Sequence, residues 1–325
     1  MLHFVAEADP TESAISRIAE TDAINPFYTY PYSAYRAASD FQPWIFKIAD
    51  DDSLQSGCVC FMKRGRLSTL LDIPSLPALG GAAEAFWKGV MVHCARHRVT
   101  DLAVQSFASS EAKIPRLVRE DWRKTRCEYR IGLGNDLWER MRKGHSYSVK
   151  KARKSGLVLS RGLDNEACLA HQRLVHGSLT RRQQRGESVV LGEEGGDVER
   201  LLRSGCGQLF QALQDGVAVA SNLILLSAKG AYNHSQGANE KGLATGAPHF
   251  LIRELVEVLK RDHAIEVFNI GGTDQLNSGL EQFKSGFGVT TSRLELEAAQ
   301  FTLQSGLRAM LRSSVRRLQT IVGCG

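Results

Sequence analysis

The sequence predicts a mixed α/β chain built as two copies of one unit, each a largely antiparallel mixed sheet flanked by helices. Three observations carry that reading. At 325 residues the chain exceeds what one ordinary hydrophobic core accommodates. Two distant stretches, "PWIFKIADDDSLQSGCVCFMKRGRLSTL" from Pro43 and "GQLFQALQDGVAVASNLILLSAKGAYNHS" from Gly207, give strand, acidic turn, strand and basic-glycine turn in the same order. The segments that follow, "GGAAEAFWKGVMVHCARHRVTDLAVQ" and "GAPHFLIRELVEVLKRDHAIEVFNIG", align without gaps at an offset of 166, which sets Gly80 on Gly246, His97 on His263 and Val104 on Ile270.

Along the chain each element has a local reason. Cys58 and Cys60 alternate on a strand and share one face. In the second copy Leu209 to Leu213 and Val217 to Ser227 read as strands around the Asp215-Gly216 turn, with Lys229-Gly230 as the next turn. Phe250, Leu251, Leu255, Val258 and Leu259 recur at helical spacing and give one buried stripe. "IEVFNI" then alternates as a strand and stops at Gly271-Gly272. The boundary between copies falls near Tyr129 to Asp136, dividing the chain into 1–130 and 131–325. Gly144 and Ser146 predict a break and a fresh N-cap, hence two short helices in the stretch around them. At the end, Leu307, Met310, Leu311, Leu318, Ile321 and Val322 form the apolar stripe of a basic helix that packs on the body or makes peripheral contact with a membrane or an RNA.

Composition narrows the partners. No run of about 18 apolar residues occurs, and the best candidate, Gly216 to Ala228, is short and contains Ser221 and Asn222. The opening residues lack a basic region followed by an apolar one, so a cytoplasmic location is expected. Seven cysteines without a Cys-x-x-Cys pair read as buried thiols, with no metal site expected. The formal charge of +6 is concentrated: Arg140 to Arg185 carries twelve Lys and Arg against Asp164 and Glu166, a net of +10, leaving −4 for the remainder. Arg142, Lys143, Lys150, Lys151, Arg153 and Lys154 surround Gly144-His145-Ser146, and Lys150, Arg153 and Lys154 share one helical face. Arg181, Arg182 and Arg185 form a second basic cluster with no acid in that segment beside them. Such a field is a solvated face or a seat for a polyanion.

"GLEQFKSGFG", from Gly279 to Gly288, reads alone as a hairpin turn with a solvated lysine. Its context suggests more. "LWERMRKGHSYSVKKARKSGLVLS", "LTRRQQRG" and "FNIGGTDQLNSGLEQFKSGFG" occur in an order and spacing that resembles the Fem-type peptidyltransferases, built from two domains of the GNAT acyltransferase fold. The resemblance is strongest from Leu137 to Gly288. It implies transfer of an aminoacyl group from tRNA to an amine, the acceptor being a peptidoglycan precursor, a peptide or a specialised metabolite. Lys284 then matches the lysine at the family's catalytic centre, where an ammonium can stabilise an oxyanion, and Phe283 walls the site or stacks on a terminal adenine. Arg142, Lys143, Lys150, Lys151, Lys154, Arg182 and Arg185 are the expected donor-binding residues. Arg36, Asn233 and Gln236 are expected on the acceptor side. No cofactor is expected beyond the co-substrate, aminoacyl-tRNA or acyl-CoA. A plain GNAT enzyme grips coenzyme A with a glycine-rich loop before a helix, and "KGLATGA" is a degraded form of it. The alternatives are an acyl-CoA-dependent N-acetyltransferase and a non-catalytic relic that binds an anion.

Overall fold

The computed structural model describes residues 2–50, 53–110, 113–134, 137–187, 197–274, 278–287 and 292–303. The basic C-terminal stripe, and the loop residues between the Gly-Gly strand and Ser278, lie outside the described residues. In chain order the elements are β1 (Leu2–Ala8), α1 (Glu12–Thr21), α2 (Tyr30–Ala37), β2 (Gln42–Asp50), β3 (Ser53–Arg64), β4 (Thr69–Ile73), α3 (Ala83–Arg96) and β5 (Asp101–Val104). Then come β6 (Glu120–Gly132), α4 (Lys143–Lys154), β7 (Val158–Gly162), α5 (Asn165–Gln184) and α6 (Asp197–Arg203). The chain continues through β8 (Gly207–Gln214), β9 (Val217–Leu226), β10 (Gly230–Ala238), α7 (Glu240–Thr245), α8 (Ala247–His263), β11 (Val267–Asp274), α9 (Ser278–Ser285) and β12 (Ser292–Thr302).

These elements form two units that are not contiguous in sequence, in place of the expected 1–130 and 131–325. The first holds residues up to Thr21, Ser39–Arg126 and the described residues from Leu296; the second holds Asp22–Ala38 and Cys127–Glu295. In the first, the strand order is β1-β2-β3-β4-β5-β12, antiparallel except for the parallel pair β4 and β5. In the second it runs from residues 127–132 of β6 through β11-β10-β9-β8-β7, with β10 and β11 parallel and β7 to β10 antiparallel. The repeat read from sequence is therefore a structural repeat: two antiparallel pairings, a helix, then a parallel strand. Each unit's sheet is extended by a strand that follows the other repeat in the chain.

The second unit is built on α8, whose buried face is wider than the sequence stripe because Ile252 and Val256 join Phe250, Leu251, Leu255 and Leu259. Ile252, Leu255, Val256 and Leu259 meet Tyr129, Ile131, Phe210, Ile224, Phe268, Ile270 and Phe287 in one core, while Phe250 and Leu251 join a second with Ala152, Leu157, Ala212 and Val219. Segment 22–38 is tied into the same unit: Ala23 O accepts from Lys229 N and from Ser227 Oγ, each at 2.9 Å. Phe27 stands edge-on to Tyr232 at 5.2 Å. His171 of α5 joins Ser221 Oγ and Ser235 Oγ, both at 2.8 Å, through its two ring nitrogens. The chain before α4 departs from expectation. A 3-10 turn covers Leu137–Arg140, and α4 then runs unbroken through Gly144, so there is one helix where two were expected.

Burial pushes His93, His171 and His249 down to about 4. Each is neutral in the folded protein where the unfolded chain, near the usual 6.5, takes a proton. The stability tied to these neutral rings is complete above about pH 6.5 and is lost as pH falls toward 4. Melting temperature should therefore decline across that window, and His171→Gln or His249→Gln should flatten the decline. A wild-type melting temperature constant from pH 6.5 to 4 would refute the assignment.

Candidate active site

The site begins where two strands part. β10 and β11 pair in parallel only through Gly230↔Val267, Ala231↔Phe268 and Tyr232↔Asn269. Directly after, β10 shifts register between Asn233 and Ser235, with His234 as the inserted residue. β11 turns at Gly271, whose φ of +79° is a left-handed conformation that a side chain disfavours. A Cβ on Gly271 would also lie 3.3 Å from both Asn233 O and Lys284 Nζ. The Gly-Gly pair thus permits the splay and the close approach of a cation to it.

Lys284 is that cation. It sits in the last turn of α9 and not in a hairpin, and it is buried, at 7% exposure, and not solvated. Ser278-Gly-Leu-Glu-Gln-Phe-Lys-Ser forms a helix because Gly279 in its first turn and Gly286 just past its end leave the 3.6-residue pattern between them uninterrupted. Nζ donates to Ile270 O at 2.8 Å and to Gly272 O at 2.9 Å. The ammonium is therefore held on the backbone of β11, one residue either side of Gly271.

The rest of the motif fastens α9 to α4. Phe283 O accepts from His145 Nε2 at 2.7 Å, and Gly286 O accepts from Arg142 N at 3.0 Å. A Cβ on Gly286 would fall 2.2 Å from His145 Cε1, so only glycine lets the imidazole lie against the turn. Phe283, half-buried, packs on His249 at 4.9 Å and on Phe287 at 5.0 Å. His145 is 4.8 Å from Phe287 and 4.5 Å from His249. Burial lowers the pKa of His145, against the opposing pull of the Phe283 carbonyl, so the neutral ring donates through Nε2.

From this anchorage α4 presents its basic residues. Arg142, Lys143, Lys150, Lys151 and Lys154 are exposed, whereas Arg153 is drawn to Glu254 of α8 at 2.7 Å. Tyr147, 69% exposed, stands four residues after Lys143 and three and four before Lys150 and Lys151, inside the basic stripe. The second basic cluster differs from expectation. Glu187 pairs with Arg182 at 2.7 Å and Arg185 at 2.9 Å, so an acid just beyond the charged segment partly neutralises both.

The expected acceptor-side residues share the second unit. Asn233 Nδ2 donates to Gln236 Oε1 at 3.2 Å, and Asn233 Oδ1 accepts from Asn222 Nδ2 at 3.3 Å. Arg36, on α2, reaches Tyr32 OH at 3.4 Å, and Tyr32 packs on Phe27, which leads to Tyr232. Sequence reading missed Glu128, Tyr232 and Asn269, which meet below the splay. Glu128 is fully buried and accepts from Tyr232 OH at 3.0 Å and from Asn269 Nδ2 at 2.7 Å. A cavity of about 720 Å³ lies elsewhere, along α5 beside Arg161, Arg173 and Arg181, and does not include Lys284.

No protein-family model matches the sequence, and no curated protein matches it. Solved structures do match. FemX superposes with a TM-score of 0.66 at 12% identity, over 94% of this chain and 98% of its own. A tandem GNAT protein from the clavulanic acid biosynthesis pathway gives 0.54 at 10% identity, over 94% and 99%. The L-PGS of Bacillus licheniformis gives 0.52 at 12% identity, over 95% and 98%. The chain has the tandem GNAT-like fold of the Fem type.

Proposed function

We propose that the protein is an N-acyltransferase that moves an aminoacyl group from aminoacyl-tRNA to an amine. The observation that carries this reading is the direct coupling of an exposed basic, aromatic-bearing helix to the helix that holds Lys284. Phosphates of an RNA end suit Lys143, Lys150, Lys151 and Lys154, and a base suits the exposed ring of Tyr147. The same helix is bonded through Arg142 and His145 to the turn carrying Phe283, Lys284 and Gly286.

The chemistry needs no protein nucleophile. The acceptor nitrogen attacks the ester carbonyl, a C–N bond forms, and the carbonyl oxygen gains negative charge. Collapse expels the ribose oxygen, which takes up the proton the amine gives away. The Lys284 ammonium, fixed at the splay, stabilises the developing oxyanion. On this reading the acceptor meets Gln236, Asn233 and Arg36.

Acyl-CoA is the weaker donor here because the start of α8 is a poor pyrophosphate cradle. Pro248 has no N–H, and the N–H groups of Gly246, His249 and Phe250 already bond Leu243 O or Gly246 O. A Cβ on Gly246 would lie 2.7 Å from Ser148 O, so the backbone of α4 covers this turn. FemX and the L-PGS support a Fem-type transferase by fold alone.

The test of donor class is incubation with a mixed charged-tRNA pool and, separately, with acyl-CoAs, following which is consumed in the presence of a panel of small amines. Consumption of acyl-CoA alone would reverse the assignment. Replacing Lys150, Lys151 and Lys154 with Glu should weaken binding of charged tRNA and reduce the slope of log affinity against log salt. Tyr147→Ala should weaken it by roughly 1–3 kcal/mol and Tyr147→Phe much less. Affinity indifferent to salt, to the three charge reversals and to Tyr147→Ala would remove α4 from the donor site.

Lys284→Ala should slow single-turnover transfer at saturating donor by about 10²–10³. Lys284→Arg should also be impaired, since a planar guanidinium does not occupy a point charge's seat. Because Lys284 is buried and bonded twice, the alanine variant should also lose about 1–3 kcal/mol of stability. Rates are therefore compared where a melt shows both proteins folded. Transfer by folded Lys284→Ala at the wild-type rate would refute the role.

A further inference from the structure

We propose that Glu128 is a positioning residue that staples the apex of the β10–β11 splay and, through Asn269 and the Gly271 turn, sets the position of Lys284. The inference rests on the catalytic reading of Lys284 for its functional meaning but on independent geometry for its structure.

Tyr232 and Asn269 are the last paired residues before β10 and β11 part. One carboxylate bridges both: Oε1 of Glu128 accepts from Tyr232 OH at 3.0 Å and Oε2 accepts from Asn269 Nδ2 at 2.7 Å. Where the backbone ladder ends, a side chain from the neighbouring strand β6 continues the closure. The carboxylate also fixes which way the Asn269 amide points. It can only accept, so Nδ2 must face it, and Oδ1 is turned to Gly271 N, 2.9 Å away. That bond pins the left-handed turn at Gly271. The two carbonyls flanking the turn, Ile270 O and Gly272 O, are the ones that hold Lys284 Nζ. The path from Glu128 to the ammonium is thus two hydrogen-bonded groups and one turn.

Burial makes this arrangement expensive to keep for packing alone. Glu128 is fully buried and Asn269 is 4% exposed, where apolar side chains of similar size would fill the space without desolvation cost. Arg130, also buried, lies within the field of Glu128 and of Asp22, which offsets part of that cost. Within this cluster Asn269 is bonded directly to the turn that holds the lysine.

The test uses the full chain and three variants, Glu128→Gln, Asn269→Ala and Tyr232→Phe, each checked by thermal melt. Brief exposure to N-acetoxysuccinimide, with site-resolved mass spectrometry, reads the accessibility of the Lys284 amine relative to the exposed lysines of α4. Loosening the staple should speed acetylation of Lys284 by about tenfold while leaving Lys150 and Lys151 unchanged, the scale expected for coupled neighbours. Single-turnover transfer from charged tRNA should slow about ten- to a hundredfold with little change in KM. In a Lys284→Ala background the same substitutions should add less than about twofold, because they act through that side chain. Glu128→Gln preserves volume and an acceptor oxygen, so it remains readable if Asn269→Ala does not fold, and Tyr232→Phe removes only the other bond to the carboxylate.

Folded variants in which Lys284 acetylates at the wild-type rate, or whose rate losses multiply fully with that of Lys284→Ala, would overturn the staple. If Lys284→Ala itself transfers normally, the catalytic reading falls, and the acetylation result still decides whether Glu128 positions the lysine.

Discussion

Beyond Tyr232 and Asn269 two parallel strands stop pairing, and the polar groups freed there must be satisfied by something other than a ladder. Much of the second unit's polar interior answers that constraint. Ile270 and Gly272 give their carbonyls to Lys284, and Gly271 gives its N–H to Asn269. An ammonium is an apt partner for two carbonyls that point to one spot. It supplies several donors from a single atom, which a neutral side chain of that length cannot.

The same constraint explains why α4 and α9 are locked together. α9 offers Lys284 to the splay from its last turn, where small errors in the helix axis would move the ammonium most. The His145–Phe283 bond, the Arg142–Gly286 bond and the contact of His145 with glycine at 286 hold that turn from the opposite side. Four aromatic rings, from His145, His249, Phe283 and Phe287, fill the space between. An exposed basic helix is in this way attached within a few residues of the buried lysine. Phe283 serves the attachment and stays half-buried.

The repeat, the strand senses and the core stripe of α8 were legible in the sequence because each is a local pattern: alternation, helical spacing, or glycine and acid at turns. Lys284 was legible only through the motif around it; its burial was not, since nothing in Phe-Lys-Ser shows that two carbonyls from β11 await the side chain. The pairing of Arg182 and Arg185 was missed because their acid, Glu187, stands just past the charged segment. Glu128, Tyr232 and Asn269 were missed for a topological reason. They lie more than a hundred residues apart in part, and Glu128 precedes the boundary that the repeat suggests, on the strand that leaves the first repeat to extend the second unit's sheet.

Comparison of the two copies shows what the second has gained. By the offset of the repeat, Ala103 stands where Asn269 stands, Gln105 where Gly271 does and Ser106 where Gly272 does. In the first unit the strands do not part after Ile73 and Val104: Gln105 N donates to Ile73 O at 2.7 Å, Phe107 N donates to Pro74 O at 3.1 Å, and Ser75 bridges to Ser106. Alanine at 103 has no amide to orient, and glutamine at 105 has no left-handed turn to hold. The first copy therefore remains zipped at the level where the second opens. A glycine pair that permits a turn, an asparagine that pins it and a buried carboxylate that orients the asparagine separate the closed copy from the one that opens beside Lys284.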